Sequence, residues 1–114
     1  MIPGSVRIVV CLEPTDMRQG FDRLAQRARE RLGIDPTDGQ LLVVYGNRLA
    51  TRLKLLWFER NGCCLLYKRL HRAKFEVPLG PAGGTSIQID SLALAKLLAG
   101  VPRPARGRRK KTSQ

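Results

Sequence analysis

The side chains with the clearest capacity for chemistry are cations that flank an Asn61-Gly62 pair. Alternating apolar residues on both sides of Asn-Gly predict a β-hairpin over about residues 51–71, because this dipeptide suits the positive φ angles of a type I′ turn. One face of the predicted hairpin collects four basic side chains, which are Arg52, Lys54, Arg69 and His71. Like charges that face each other across two strands destabilise a sheet. A polyanion would offset that repulsion, so we expect this face to bind phosphate groups.

The register expected from this turn sets Lys54 opposite Arg69 and Arg52 opposite His71. Side chains alternate between the two faces of a strand, so the other face of the hairpin is mostly apolar. That face consists of Leu53, Leu55, Trp57, Leu66, Lys68 and Leu70. We therefore expect one buried face, which contributes to the core, and one exposed basic face.

Further cations extend the basic character beyond these four. On a predicted helix over about residues 17–32, Arg23, Arg27 and Arg31 recur at four-residue spacing, which places them in one row. A second group of predicted nucleic-acid contacts lies in the C-terminal tail and consists of Arg106, Arg108, Arg109, Lys110 and Lys111. The positive region around the hairpin is enlarged by Arg48, Arg60, Lys68, Arg72 and Lys74.

The net charge supports a polyanionic partner. Of 114 residues, 21 are Lys or Arg and 9 are Asp or Glu, which gives a formal net charge of +12 at pH 7. Six of these cations lie in residues 103–111, and the 15 that remain still exceed the 9 acidic residues. A basic tail alone is weak evidence because it binds any polyanion, whereas a basic body favours nucleic acid as the partner.

The residues that catalysis or metal binding would need are scattered along the chain. Strand transfer and phosphodiester cleavage normally use metal ions held by several carboxylates, and Glu13, Asp16 and Asp22 come nearest to such a group. The three cysteines and the single histidine fit no standard zinc spacing, so we interpret the cysteines as packing residues. We therefore predict no catalytic residue, no metal site and no cofactor, and we expect that the protein is not an enzyme.

The predicted elements follow the order strand, helix, several antiparallel strands and a second helix over about residues 91–99. This order is typical of an α+β fold, here with a small antiparallel sheet around the central hairpin. Thr15 or Asp16 is suited to cap the first helix, and Asp90 the second. Gly100 is suited to end the second helix.

Composition also predicts the organisation and location of the chain. We expect a single domain over residues 1–101 and a disordered basic tail over 102–114, since the tail has nothing apolar enough to fold alone. No apolar run reaches the roughly 18 residues of a membrane span, and no signal peptide is recognisable. We therefore expect a cytoplasmic protein with no membrane association.

Three motifs are long enough to be compared with known families. They are TDMRQGFDRLA at 15–25, KLLW at 54–57 and LYKRL at 66–70, with the pattern continuing through Phe75 and Pro78. They resemble the TnpB-type accessory proteins of the insertion sequence 66 family, over about residues 2–101. The resemblance implies a small protein encoded beside a separate, larger transposase. It implies a need for this protein in efficient transposition but no role as the DDE-type catalytic subunit, and it supplies no catalytic residues.

Two hypotheses about function follow. The first is a non-catalytic accessory factor in the transposition of an insertion sequence, whose basic surface binds DNA, either the element ends or generic duplex. The alternative is a protein adapter that binds the transposase or another protein of the same element without contacting DNA directly. Both are compatible with the charge, because a basic surface also fits an acidic protein face. A metal-dependent nuclease would need an acidic cluster that the sequence does not show.

Overall fold

The computed structural model describes residues 6–102. A five-stranded sheet forms the centre of the fold, with a helix packed on each face. The elements in chain order are β1 (Arg7–Cys11), α1 (Phe21–Arg27), a π-helical segment (Ala28–Leu32), β2 (Leu41–Gly46), β3 (Arg52–Glu59), β4 (Gly62–Arg69), β5 (Ala73–Lys74), β6 (Ser86–Ile89), α2 (Ser91–Ala99) and β7 (Val101–Pro102). The α+β prediction is confirmed.

The main sheet has five strands in the order β4-β3-β2-β1-β6, and β5 pairs with β7 in a separate ribbon. Its central pair is parallel, with Ile8 opposite Leu42 and Val10 opposite Val44, whereas the other neighbours are antiparallel. The sheet is therefore mixed: three of its four strand pairs are antiparallel, as expected, and the pair formed by β1 and β2 is parallel. The reason is that α1 lies between β1 and β2 and forms a crossover, which returns the chain in the same direction.

Both faces of the sheet are buried, because β1 and β2 alternate apolar side chains toward α1 and toward α2. On one face Val9, Val43 and Leu56 pack with Leu24 and Ala25 of α1. The other face forms a second cluster that includes Val10, Val44, Leu53, Leu55, Leu94 and Leu97. The prediction that only one face of the hairpin is buried was therefore wrong, since Leu56 on the supposedly exposed face is completely buried.

The hairpin exists where it was predicted, but its register differs by two residues. Glu59 pairs with Gly62, so the two-residue turn is Arg60-Asn61 rather than Asn61-Gly62. Positive φ angles occur at none of these turn residues, which excludes the type I′ turn. The observed register sets Leu55 opposite Leu66, where the predicted one set it opposite Lys68. Pairing leucine with leucine favours this register, and an even shift leaves every side chain on its predicted face.

The first helix begins later than predicted. Residues 15–20 lie outside the helix, with a turn at 17–18, and α1 starts at Phe21 after Gly20, with no side-chain cap. Asp16 instead accepts a hydrogen bond from the backbone N–H of Arg18 at 2.9 Å, so the predicted capping role for Thr15 or Asp16 was wrong. The helical segment ends at Gly33, whose φ of 68° is unfavourable for residues with a side chain.

The second helix matches its prediction. It covers Ser91–Ala99, and the Asp90 side chain accepts a hydrogen bond from the backbone N–H of Ala93 at 2.8 Å. Leu94 and Leu97 are buried against the sheet. Neither helix within residues 6–102 is long and apolar enough to span a membrane.

Candidate nucleic-acid interface

The candidate site is centred on Arg52 and Arg69, which lie directly opposite each other on β3 and β4. Both side chains are on the same face of the hairpin, at the end away from the Arg60-Asn61 turn. Arg69 is exposed and Arg52 is half-buried. The four ion pairs within residues 6–102 all involve other arginines, so neither guanidinium is neutralised by a carboxylate of the described chain.

A hydrogen-bonded turn lies directly before Arg52 and positions the start of β3. The Asn47 side-chain oxygen accepts hydrogen bonds from the backbone N–H groups of Thr51 and Arg52, both at 2.9 Å, and its amide donates to the Thr51 hydroxyl. Within the turn Ala50 has a φ of 57°, which is uncommon for a residue with a side chain. These contacts fix where β3 begins and leave Arg48 exposed on the turn.

Backbone hydrogen bonds bring the segment after β4 to the same turn. The N–H of Leu70 donates to the carbonyl of Thr51 at 2.8 Å, and the N–H of Phe75 donates to the carbonyl of Ala50 at 2.6 Å. This segment carries further exposed cations. We use the term basic end for the set formed by Arg48, Arg52, Arg69, His71, Arg72 and Lys74.

The basic end contains three of the four predicted hairpin contacts, but their pairing changes. Arg52 faces Arg69 rather than His71, and His71 lies beyond β4. Arg48, Arg72 and Lys74, which the sequence placed in the wider positive region around the hairpin, join the set. Their proximity depends on the two backbone hydrogen bonds, which the sequence pattern does not encode. Arg60 lies at the opposite end of the hairpin, in the turn.

Lys54 is the predicted contact that the structure removes from the exposed surface. Its side chain is buried, its Nζ donates a hydrogen bond to the Gln19 carbonyl at 2.8 Å, and Nζ lies 5.2 Å from the centre of the Tyr67 ring. A buried ammonium group is stable only when it is hydrogen-bonded or paired. Lys54 therefore anchors the turns that precede α1, and the expectation that it faces solvent was wrong. Lys68 has a similar contact, because its Nζ donates to the Leu98 carbonyl at 2.7 Å.

The three arginines predicted to form one row on the first helix differ in their contacts with Glu13. The Arg31 guanidinium donates two hydrogen bonds to the Glu13 carboxylate and holds the pKa of that carboxyl below its usual value. Arg27 lies 3.7 Å from the same carboxylate and donates to the Pro14 carbonyl at 3.1 Å. Only Arg23 of this row forms none of the ion pairs found within residues 6–102.

Two of the carboxylates near the first helix, Glu13 and Asp16, form ion pairs with arginines. A hydrogen bond from the Arg18 side chain lowers the pKa of Asp16 to about 2. Between residues 6 and 102, no group of three or more His, Cys, Asp or Glu side chains could hold a metal ion. The predicted tail contacts at Arg106, Arg108, Arg109, Lys110 and Lys111 lie outside the described residues.

The fold and the site define a small, strongly basic α+β protein that carries a group of basic side chains, the basic end, at one end of its mixed sheet. The family model for IS66 Orf2-like proteins matches residues 6–107. The chain therefore belongs to this family, the TnpB-type accessory proteins of IS66 insertion sequences, and the resemblance seen in its motifs is confirmed. Family membership gives the protein a role in insertion-sequence transposition.

Two relatives come from Sinorhizobium fredii (strain NBRC 101917 / NGR234). Uncharacterized protein y4hO is 41% identical over 103 residues, which cover 89% of this chain and 87% of the relative. Uncharacterized protein y4jC is 29% identical over 96 residues, which cover 84% of this chain and 80% of the relative. No solved structure matches the chain.

Proposed function

We propose that this protein is a non-catalytic accessory factor of transposition that binds DNA phosphates through the basic end. The observation that carries the proposal is the direct opposition of Arg52 and Arg69 on one face of the hairpin. Facing cations repel each other, and a phosphate placed between them would convert the repulsion into two charge-assisted hydrogen bonds.

The surrounding geometry supports the same partner. The turn held by Asn47 and the segment joined to it at Ala50 and Thr51 place further cations beside this pair. Several cations on a hydrogen-bonded scaffold can contact successive phosphates of one backbone. Contacts of this kind provide affinity and orientation without reading bases, so the proposal includes no sequence preference.

The test is an anisotropy titration of the full chain against element-end duplex, random duplex and single strands at several salt concentrations. The double variant Arg52→Gln and Arg69→Gln should bind more weakly and reduce the slope of log affinity against log salt by about 0.9 for each lost phosphate contact. Arg60→Gln, in the turn at the far end of the hairpin, is the matched control and should keep the wild-type slope. An unchanged slope in the double variant would exclude the basic end as the DNA contact.

The competing assignment is an adapter that binds the transposase or another protein of the element. The half-exposed Tyr67 beside Arg69 favours it, because Tyr and Arg are enriched where protein interfaces gain most affinity. Co-purification of the element's proteins after nuclease treatment discriminates between the two assignments. A complex that persists without DNA, together with no binding to any oligonucleotide, would support the adapter.

A further inference from the structure

Strand β4 forms one edge of the main sheet and presents an apolar centre. Within residues 6–102 it pairs only with β3, and it is eight residues long. The side chains of Leu66 and Tyr67 are 41% and 50% exposed. Edge strands are usually protected by charges, proline or bulges, because their free backbone groups can pair with another strand. Here the charges of β4 lie only at its C-terminal end, at Lys68 and Arg69.

We propose that β4 pairs antiparallel with β4 of a second copy of this chain, around a two-fold axis at Leu66. In this register Leu66 lies opposite Leu66 of the second copy, and Leu65 lies opposite Tyr67. Residues whose numbers differ by an even amount face each other, so each face of one sheet continues into the same face of the other. The two sheets join into one sheet of ten strands, twice the five observed in one chain.

In this register the two cations of each β4 lie opposite uncharged residues of the other copy. Lys68 lies opposite Cys64 of the second copy and Arg69 opposite Cys63, so no cation faces a cation. The two Arg69 residues are six positions apart along the paired strands, or about 20 Å. That distance is about two Debye lengths at 0.1 M salt, so their repulsion is largely screened. A parallel pairing would instead set equivalent cations side by side, which makes a second copy in antiparallel orientation the favoured occupant.

Disulfide trapping tests the register directly. Opposite residues of an antiparallel pair have Cα atoms about 4.5–5.5 Å apart, which suits a disulfide. In the full chain with Cys63→Ser and Cys64→Ser, Leu66→Cys should form a reducible dimer under mild oxidation. The matched control in the same background is Leu92→Cys on α2, since Leu92 is 65% exposed and lies away from β4. Equal dimer yield from both cysteines would overturn the proposal.

Sedimentation of the nuclease-treated full chain provides the second measurement. The wild-type protein should sediment with twice the mass of one chain, and Leu66→Lys should reduce that mass twofold because it places two ammonium groups at the two-fold axis. Leu92→Lys should leave the dimer intact. Circular dichroism shows whether each variant is folded. A wild-type monomer throughout the concentration range, or a dimer that a folded Leu66→Lys variant retains, would overturn the proposal.

Discussion

The Nζ of Lys54 donates a 2.8 Å hydrogen bond to the backbone carbonyl of Gln19. This contact connects β3 with the turns that precede α1, and the Tyr67 ring covers the ammonium group from β4. A cation that looks like a phosphate ligand in the sequence is thus part of the folded scaffold. Its neighbours on the same face, Arg52 and Arg69, form the site instead.

Replacing Lys54 with methionine should lower the free energy of unfolding by about 1–3 kcal/mol, because the Gln19 carbonyl loses its donor in a largely buried place. Urea denaturation measures the change. The exposed Lys74→Met is the matched control and should be within about 0.5 kcal/mol of the wild type. The salt dependence of DNA binding should be unchanged in Lys54→Met. A variant with wild-type stability but a smaller salt slope would show that Lys54 contacts phosphate after all.

The hydroxyl of Tyr45 provides a second buried polar contact, since it donates a 2.6 Å hydrogen bond to the Leu24 carbonyl of α1. Burial raises the pKa of this phenol far above its usual value. Tyr45→Phe removes the donor and should cost about 1–2 kcal/mol of unfolding free energy. Tyr67→Phe, which changes a half-exposed ring, should cost much less. Equal losses in the two variants would contradict a stabilising role for the buried bond.

The hairpin shows what the sequence could and could not predict. Its position and the face of each residue follow from alternation with a period of two, and both are confirmed. The register differs because a shift of two residues preserves the same alternation, so the apolar pattern cannot distinguish the two pairings. The predicted register therefore rested on the turn preference of Asn-Gly alone. This preference was weaker than the pairing of Leu55 with Leu66 and of Leu56 with Leu65.

The start of α2 could be predicted from the sequence, whereas the start of α1 could not, and the reason is physical. The cap of α2 is local, because Asp90 and Ala93 are three residues apart, and it was predicted correctly. The segment before α1 includes a distant contact, between Lys54 and Gln19, which a local pattern does not contain. The candidate site likewise depends on distant contacts, because one hydrogen bond joins Phe75 to Ala50 and another joins Leu70 to Thr51.

Acid should lower the free energy of unfolding, in part because Glu13 becomes protonated. The Arg31 hydrogen bond lowers the pKa of Glu13 in the folded state below its ordinary value of 4.5. The unfolded chain therefore binds the proton more readily, so this contribution to stability is complete above about pH 5 and is lost as the pH falls through the folded-state pKa. Urea midpoints measured from neutral pH downward should fall less steeply for Glu13→Gln than for the wild type. Glu76→Gln, at an exposed site outside the four ion pairs of residues 6–102, should keep the wild-type profile.

The hydrogen bond from the Ala93 N–H to the Asp90 side chain should stabilise the start of α2. Asp90→Ala removes the acceptor for the Ala93 N–H and should lower the free energy of unfolding by about 0.5–2 kcal/mol. Asp90→Asn keeps a side-chain oxygen at the same place and should recover most of that loss. Urea denaturation of the three proteins at one pH provides the comparison. If Asp90→Asn is as unstable as Asp90→Ala, the charge of Asp90 rather than its hydrogen bond stabilises the start of α2, and the capping interpretation fails.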